Sequence, residues 1–236
     1  QIYLEMIFVE RNDVIALTEE MFITVIEAMD YKIKEKPFPV FTYKEAMEKF
    51  GADKFDLRSE GDKKNGVLAF GWVVDFPFFE GDKYNINGGN WTFTHNPFSQ
   101  PKKESVEDLL AGENIEGILT TQYDLVCNGF EVGGGSIRSH DPEILRAVFK
   151  VMGYEDSRIE KEFGHMLEAF KYGAPPHGGI AAGVERLIMI LSGEEYLREV
   201  QAFPQTGSGR TSVMDAPSEV DKKQLDELGI EVKKKS

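Results

Sequence analysis

A single cysteine, Cys127, stands in 236 residues. One thiol cannot build a disulfide framework or a thiolate zinc cluster within the chain, and it suits a reducing compartment such as the cytoplasm. No stretch approaches the run of about 20 apolar residues that crosses a bilayer as a helix, and the opening residues do not read as a signal peptide. Positive charge is scarce as well. The 27 Lys and Arg stand against 41 Asp and Glu, for a net charge of −14. Such a chain is not a general polyanion binder, because non-specific affinity for nucleic acid comes from neutralising phosphates, although a local patch can still bind one. There are 4 histidines, and His95, His140, His165 and His177 show no spacing that suits zinc. No serine sits in a nucleophile elbow and Cys127 has no evident base beside it, which points away from covalent catalysis.

What is present is an ordinary globular mixture, 41% hydrophobic and 29% charged, in a length that suits one domain. The chain starts at Gln1, without methionine, inside a strand pattern. Ile2, Leu4 and Met6 alternate there with Tyr3, Glu5 and Ile7, so a fragment of a longer protein is expected. Asn12 or Asp13 is placed to cap a helix whose apolar face is Val14, Leu17, Met21, Val25 and Ala28. Residues 31–40 read as extended chain broken by Pro37 and Pro39. A short helix over 42–50 opens on Thr42 and Glu45, spaced as a capping box. Residues 51–66 read as the least ordered segment. Strand patterns follow at 67–79, 91–95, 118–126 and 129–132, with turn material at 81–89 and an acidic, partly helical stretch at 102–117. Asp141 and Pro142 open a helix with Ile144, Val148 and Val151 on its inner face, and a second amphipathic helix spans 160–170. Residues 178–190 pass from a glycine-rich strand into a helix. A charged tail from Pro217, ending in Lys-Lys-Lys-Ser, is expected to fray. Strands followed by helices predict an α+β fold with a mainly antiparallel sheet.

Three segments can carry chemistry. In NGFEVGGGSIRSH, residues 128–140, three glycines follow a strand that carries Glu131. Asp124 and Glu131 are an odd number of residues apart and would face opposite ways in one continuous strand. A turn at Asn128-Gly129 breaks that register and can bring both carboxylates to one side. Two carboxylates beside glycine-rich backbone suit a magnesium ion bridging phosphates, and the glycines let a flat ligand lie against the main chain. Arg138 offers a planar fork for a carboxylate or phosphate. A hairpin with a surface ion pair would use the same residues. In GGIAAGVER, residues 178–186, Arg186 falls near a helix N-terminus, where positive charge is unfavourable and an anion is welcome. Either a phosphate ligand or a paired glutamate accounts for it. The segment is neither a dinucleotide fingerprint nor a P-loop. In THNPF, residues 94–98, His95 sits at a strand end, as a hydrogen-bonded structural residue or a functional one.

Together these segments resemble the catalytic core of a bacterial-type aspartyl-tRNA synthetase, a class II aminoacyl-tRNA synthetase. QIYLEMIFVER at 1–11 is similar to the second strand of the class II motif 2, and FTYKEAMEKFGADKFDLR at 41–58 to the segment before the family's inserted domain. WVVDFPFFE at 72–80, HNPF at 95–98, YDLVCNGFEVGGGSIRSHDPE at 123–143 and EAFKYGAPPHGGIAAGVERLIMILSG at 168–193 follow in the family's order, the last as motif 3. The resemblance covers residues 1–236 as one catalytic core, incomplete at its N-terminus and without the inserted domain after about residue 58.

The resemblance implies an antiparallel sheet flanked by helices, with ATP and aspartate on its open face. Gly183, Val184, Glu185 and Arg186 would bind ATP, with Arg186 on the phosphates as the catalytic arginine. Glu131, helped by Asp124, would hold Mg2+ and ATP. Arg138 would pair with the side-chain carboxylate of L-aspartate, and His95 would contact the amino acid. It further implies transfer of aspartate to tRNA, read mainly by domains outside this chain, and a homodimer in the complete protein. This chain alone is expected to fold, to be a monomer or weak dimer, and not to charge tRNA. Two differences from the family pattern stand out: Tyr3 replaces a usual aspartate, and Asn96 a usual second histidine. The alternative is a non-catalytic synthetase-like paralogue that binds a nucleotide, an amino acid or a protein partner. An asparagine-specific relative is the other enzyme alternative, although Arg138 suits an anionic side chain better than an amide.

Overall fold

The computed structural model describes residues 1–83, 88–211 and 213–233. They fall into two units, Gln1–Leu187 and Ile188–Ser236. The strands are β1 (Ile2–Ile7), β2 (Val40–Thr42), β3 (Phe70–Val74), β4 (Phe79–Gly81), β5 (Trp91–Phe93), β6 (Tyr123–Cys127), β7 (Phe130–Ile137) and β8 (His177–Ala182). The helices are α1 (Arg11–Ala28), α2 (Tyr43–Phe50), α3 (Glu60–Lys64), α4 (Val106–Ala111), α5 (Pro142–Val151), α6 (Asp156–Lys171), α7 (Val184–Ser192) and α8 (Lys222–Leu228).

Six strands form one sheet in the order β1-β8-β7-β6-β3-β2. Neighbours are antiparallel except β2 and β3, which run parallel. The α+β fold with a mainly antiparallel sheet is therefore as expected. The β6–β7 hairpin is closed by Asn128 and Gly129, both in the left-handed region at φ 53° and 91°, the conformation that a two-residue turn demands. The three glycines do not follow a strand, as expected, but lie inside β7. Tertiary packing requires them there. A Cβ on Gly135 would stand 2.0 Å from the Gly179 carbonyl oxygen, so no side chain fits between β7 and β8.

Cross-strand pairs share a face, so the register sorts the sheet. One row reads Tyr3, Ala181, Gly134, Asp124, Val73 and Phe41. The next holds Glu5, Gly179 and Ser136. At the β3 end this face is covered by Ala46, Phe55 and Phe76, which pack on Val73 and Val126. The opposite face carries Phe70 and Trp72 under α1: Phe22 meets Phe70 edge-on at 5.7 Å, and the Trp72 indole donates to Glu19 at 3.2 Å. A third layer, built by the β4–β5 hairpin with α4, α5 and α6, buries Phe78, Leu109, Leu145, Phe149, Ile159 and Leu167.

Several local expectations change in three dimensions. The N-cap of α1 is Glu10, not Asn12 or Asp13, and Asp13 is its capping-box partner three residues on. The buried face of α1 is Val14, Thr18, Phe22 and Ile26, while Leu17 and Val25 are exposed. Both series are mostly apolar, and contact with Phe70 and Trp72 of the sheet selects the one that holds Phe22. Residues 51–66 are ordered around buried Phe55 and the short helix α3, whose Ser59 and Asp62 form a capping box. Thr42 and Glu45 cap α2 as expected, and Asp141 caps α5. The inner face of α5 is wider than expected, with Leu145 and Phe149 buried beside Val148. The strand expected over 67–79 breaks after β3 at Asp75, φ 58°, whose carboxylate is paired with Arg11 at 2.5 Å and Lys102 at 3.0 Å. In the second unit, the tail expected to fray forms α8, capped by Asp221. Residues 84–87 of the expected turn and the last residues of the Lys-Lys-Lys-Ser end, 234–236, lie outside the described residues.

Candidate active site

The open strip of the sheet, over β6, β7, β8 and β1, gathers the polar residues. Asp124 on β6 is 2% exposed. Its Oδ1 accepts from Gln122 Nε2 at 2.8 Å, and its Oδ2 lies 3.6 Å from His95 Nε2. Glu131 on β7 reaches the same place. A Cβ built on Gly134 would meet Asp124 Oδ1 at 3.0 Å and Glu131 Oε1 at 3.2 Å. The Asn128-Gly129 turn, together with an irregularity in register between Leu125 and Val126, brings both carboxylates over this one glycine. Lys54, from the segment after α2, stands 3.3 Å from Glu131 Oε2.

Among the described residues no group of three or more His, Cys, Asp or Glu side chains is placed to hold a metal. The donor set at Gly134 is two carboxylates. Magnesium takes one or two carboxylates when phosphate oxygens and water complete its shell. The residues therefore fit a magnesium ion carried with a polyphosphate.

Arg186 sits in the first turn of α7 and donates from Nη1 to the Glu131 carbonyl oxygen at 2.5 Å. Gly183 N–H donates to the Val132 carbonyl oxygen at 2.9 Å, which anchors the start of the helix beside the carboxylate pair. The glutamate partner considered for Arg186 is thus a backbone contact, and its charge has no carboxylate against it among the described ion pairs. Val184 is half-buried and Glu185 exposed.

Arg138, just beyond β7, is held by β1. Its guanidinium takes Glu5 side-on, Nε to Oε1 and Nη2 to Oε2, both at 3.1 Å. Burial works against each charge. The Glu5 carboxyl nonetheless stands below its ordinary range, because Arg138 and the Tyr3 hydroxyl outweigh that burial.

His95 packs edge-on against Phe76, with ring centroids 4.7 Å apart. Burial pulls its imidazole down, but the Asp124 carboxylate raises it more, so it titrates above its ordinary 6.5. A histidine raised in the folded state adds stability that is fully present below its unfolded value and is lost as pH rises through the folded one. Nuclear magnetic resonance titration of the His95 ring is expected to show a value above 6.5 in the native protein and a lower one in Asp124→Asn. Equal values would mean that the pair does not interact.

A family model described as tRNA synthetases class II (D, K and N) matches residues 1–207. The chain belongs to this family. It is 45% identical over 197 residues to the aspartate–tRNA(Asp/Asn) ligase of Treponema denticola, covering 78% of this chain and 32% of that protein. It is 43% identical over 198 residues to the aspartate–tRNA ligase of Streptomyces coelicolor, covering 78% of this chain and 33% of that protein. The chain thus spans about a third of the length of these relatives. Among solved structures, the aspartyl tRNA synthetase of Entamoeba histolytica superposes with a TM-score of 0.62 at 21% identity, over 89% of this chain and 43% of that one. An asparaginyl-tRNA synthetase from the same organism, in complex with asparaginyl-adenylate, gives 0.55 at 23% identity, over 84% of this chain and 45% of that one. At these identities the structural likeness bears on the fold alone.

On the class II synthetase sheet, the residues singled out from sequence fall in two groups. Asp124 and Glu131 meet over Gly134, with His95 beside Asp124 and Arg186 on the Glu131 backbone; Arg138 lies with Glu5 and Tyr3. His95, expected to border the amino acid, stands beside Asp124. Gln122, Lys54, Glu5 and Ser136 were not singled out. Gln122 carries a signal, lying two residues before Asp124 and so in its strand period, and so does Glu5, which shares a strand face with Tyr3 and Ile7. Lys54 carries none beyond its charge.

Proposed function

We propose that this chain is the catalytic part of an aspartate–tRNA ligase. The observation that supports it most is the placement of Arg138 on the same open sheet face as the Asp124–Glu131 pair. One site suits an anionic side chain and the other a metal-bound triphosphate. In this reading Arg138 takes the side-chain carboxylate of L-aspartate and His95 borders the amino acid. Gly183, Val184, Glu185 and Arg186 hold ATP, with Arg186 on the phosphates. Asp124 and Glu131 hold Mg2+, which when bound neutralises phosphate charge.

The aspartate α-carboxylate attacks the α-phosphorus of ATP in line. A carboxylate oxygen–phosphorus bond forms, the bond to the bridging oxygen breaks, and pyrophosphate leaves with that electron pair. A carboxylate is already ionised at pH 7, so the site needs alignment and charge neutralisation rather than a general base. The aspartyl group then passes to the terminal adenosine of tRNA, with release of AMP. The complete protein is proposed to act as a homodimer in the cytoplasm. Its tRNA contacts would come mainly from outside this chain, whose net charge of −14 leaves few phosphate contacts.

Pyrophosphate exchange by the complete protein is the direct test. Aspartate is expected to support exchange and asparagine to support far less. Exchange with neither would favour the non-catalytic paralogue, and a preference for asparagine would reverse the role of Arg138.

A further inference from the structure

A guanidinium carries five N–H donors in a planar fork. In Arg138, Nε and one hydrogen of Nη2 go to Glu5. Nη2 also donates to the Tyr3 hydroxyl at 3.3 Å, and Nη1 donates to Ser136 Oγ at 2.8 Å. Among the described residues one Nη1 hydrogen is left over. A carboxylate gripped in two-toothed fashion needs two parallel donors. The side made by Nε and Nη2 is filled by Glu5. On the side made by Nη1 and Nη2, the Nη2 half is turned on Tyr3. The Tyr3 contact is the longest of the four and the only one to a neutral group that stands well out in solvent: Tyr3 is 60% exposed, on the outermost strand of the sheet. Ser136 is fully buried, and Glu5 is tied by charge as well as by two bonds.

We propose that Tyr3 is a displaceable stop at the amino-acid side-chain subsite: a ligand carboxylate docks on the Nη1–Nη2 side of Arg138 by pushing the Tyr3 hydroxyl off Nη2. This rests on the reading of Arg138 given above. The hydroxyl has somewhere to go, since it already donates to Glu5 Oε2 at 2.7 Å and keeps that bond when Nη2 turns to the ligand. The displacement weighs on a carboxylate, which uses both donors, and not on an amide oxygen, which one free Nη1 hydrogen satisfies. Tyr3 therefore narrows the preference for aspartate over asparagine and is a specificity-determining residue.

The test is Tyr3→Phe in the complete protein, read by pyrophosphate exchange with aspartate and by asparagine as a competing inhibitor. The KM for aspartate is expected to fall about three- to tenfold, the size of one typical hydrogen bond. The kcat should be unchanged, because the contact is made equally in the ground and transition states. The inhibition constant for asparagine and the melting temperature should also hold. An active parent whose Tyr3→Phe variant shows an unchanged or raised KM overturns the stop and leaves Arg138 in its role. A parent with no aspartate-dependent exchange overturns the Arg138 reading and the stop with it.

Discussion

Replacing Arg138 by leucine in the complete protein is expected to lower aspartate-dependent pyrophosphate exchange by about two to four orders of magnitude. Removing one partner of a largely desolvated ion pair costs about 3–5 kcal/mol, and each 1.36 kcal/mol is tenfold. Two charges lose their partner at once: the substrate side chain, and Glu5, now bound by Arg138 through two bonds of 3.1 Å. Glu5 would then repel the very carboxylate that Arg138 attracted. Its own titration reports the loss independently. In the native protein the Glu5 carboxyl lies below its ordinary value of 4.5, so it contributes stability above that value which is lost as pH falls through the lowered one. The leucine variant should lose this acid-side contribution. Unchanged exchange and unchanged preference for aspartate would remove Arg138 from the amino-acid subsite.

Glu131→Ala is expected to fold normally and to lose adenylate formation. Loss of one preorganised charge partner in such a site typically costs about a hundred- to thousandfold in rate. Its carboxylate faces Asp124 across Gly134, whereas its carbonyl oxygen receives Arg186. Alanine removes the first contact and keeps the second, so the variant separates metal and phosphate binding from the anchoring of α7. Exchange measured against magnesium concentration, beside a thermal melt, checks it. A collapse in melting temperature with activity scaled to the folded fraction would mark Glu131 and Lys54 as a structural ion pair instead.

Local chemistry was readable wherever its partners lie close in sequence. Asn128-Gly129 announces a two-residue hairpin because few other pairs accept left-handed backbone at both positions, and Thr42 with Glu45 and Asp141 with Pro142 announce helix starts. The convergence of Asp124 and Glu131 follows from the same turn. The phase of α1 was not readable, since Leu17, Met21 and Val25 compete on equal terms with Thr18, Phe22 and Ile26. Only contact with Phe70 and Trp72 decides between them.

The residues alone carried the family, the mainly antiparallel sheet and the identity of the charged groups, because periodicity, turn chemistry and ordered motifs are properties of neighbours along the chain. Which charge meets which was decided by the fold. Arg138 finds Glu5 at a separation of 133 residues, and it does so only because β8 lies between β1 and β7 and its glycines let the three strands close up. Arg186 meets the backbone of Glu131 across 55 residues, and His95 meets Asp124 from a separate hairpin. Pairings of this kind have no period and no local signature; they come into being when hydrophobic burial fixes the sheet register and leaves the remaining polar side chains to satisfy one another on the one face that is still open.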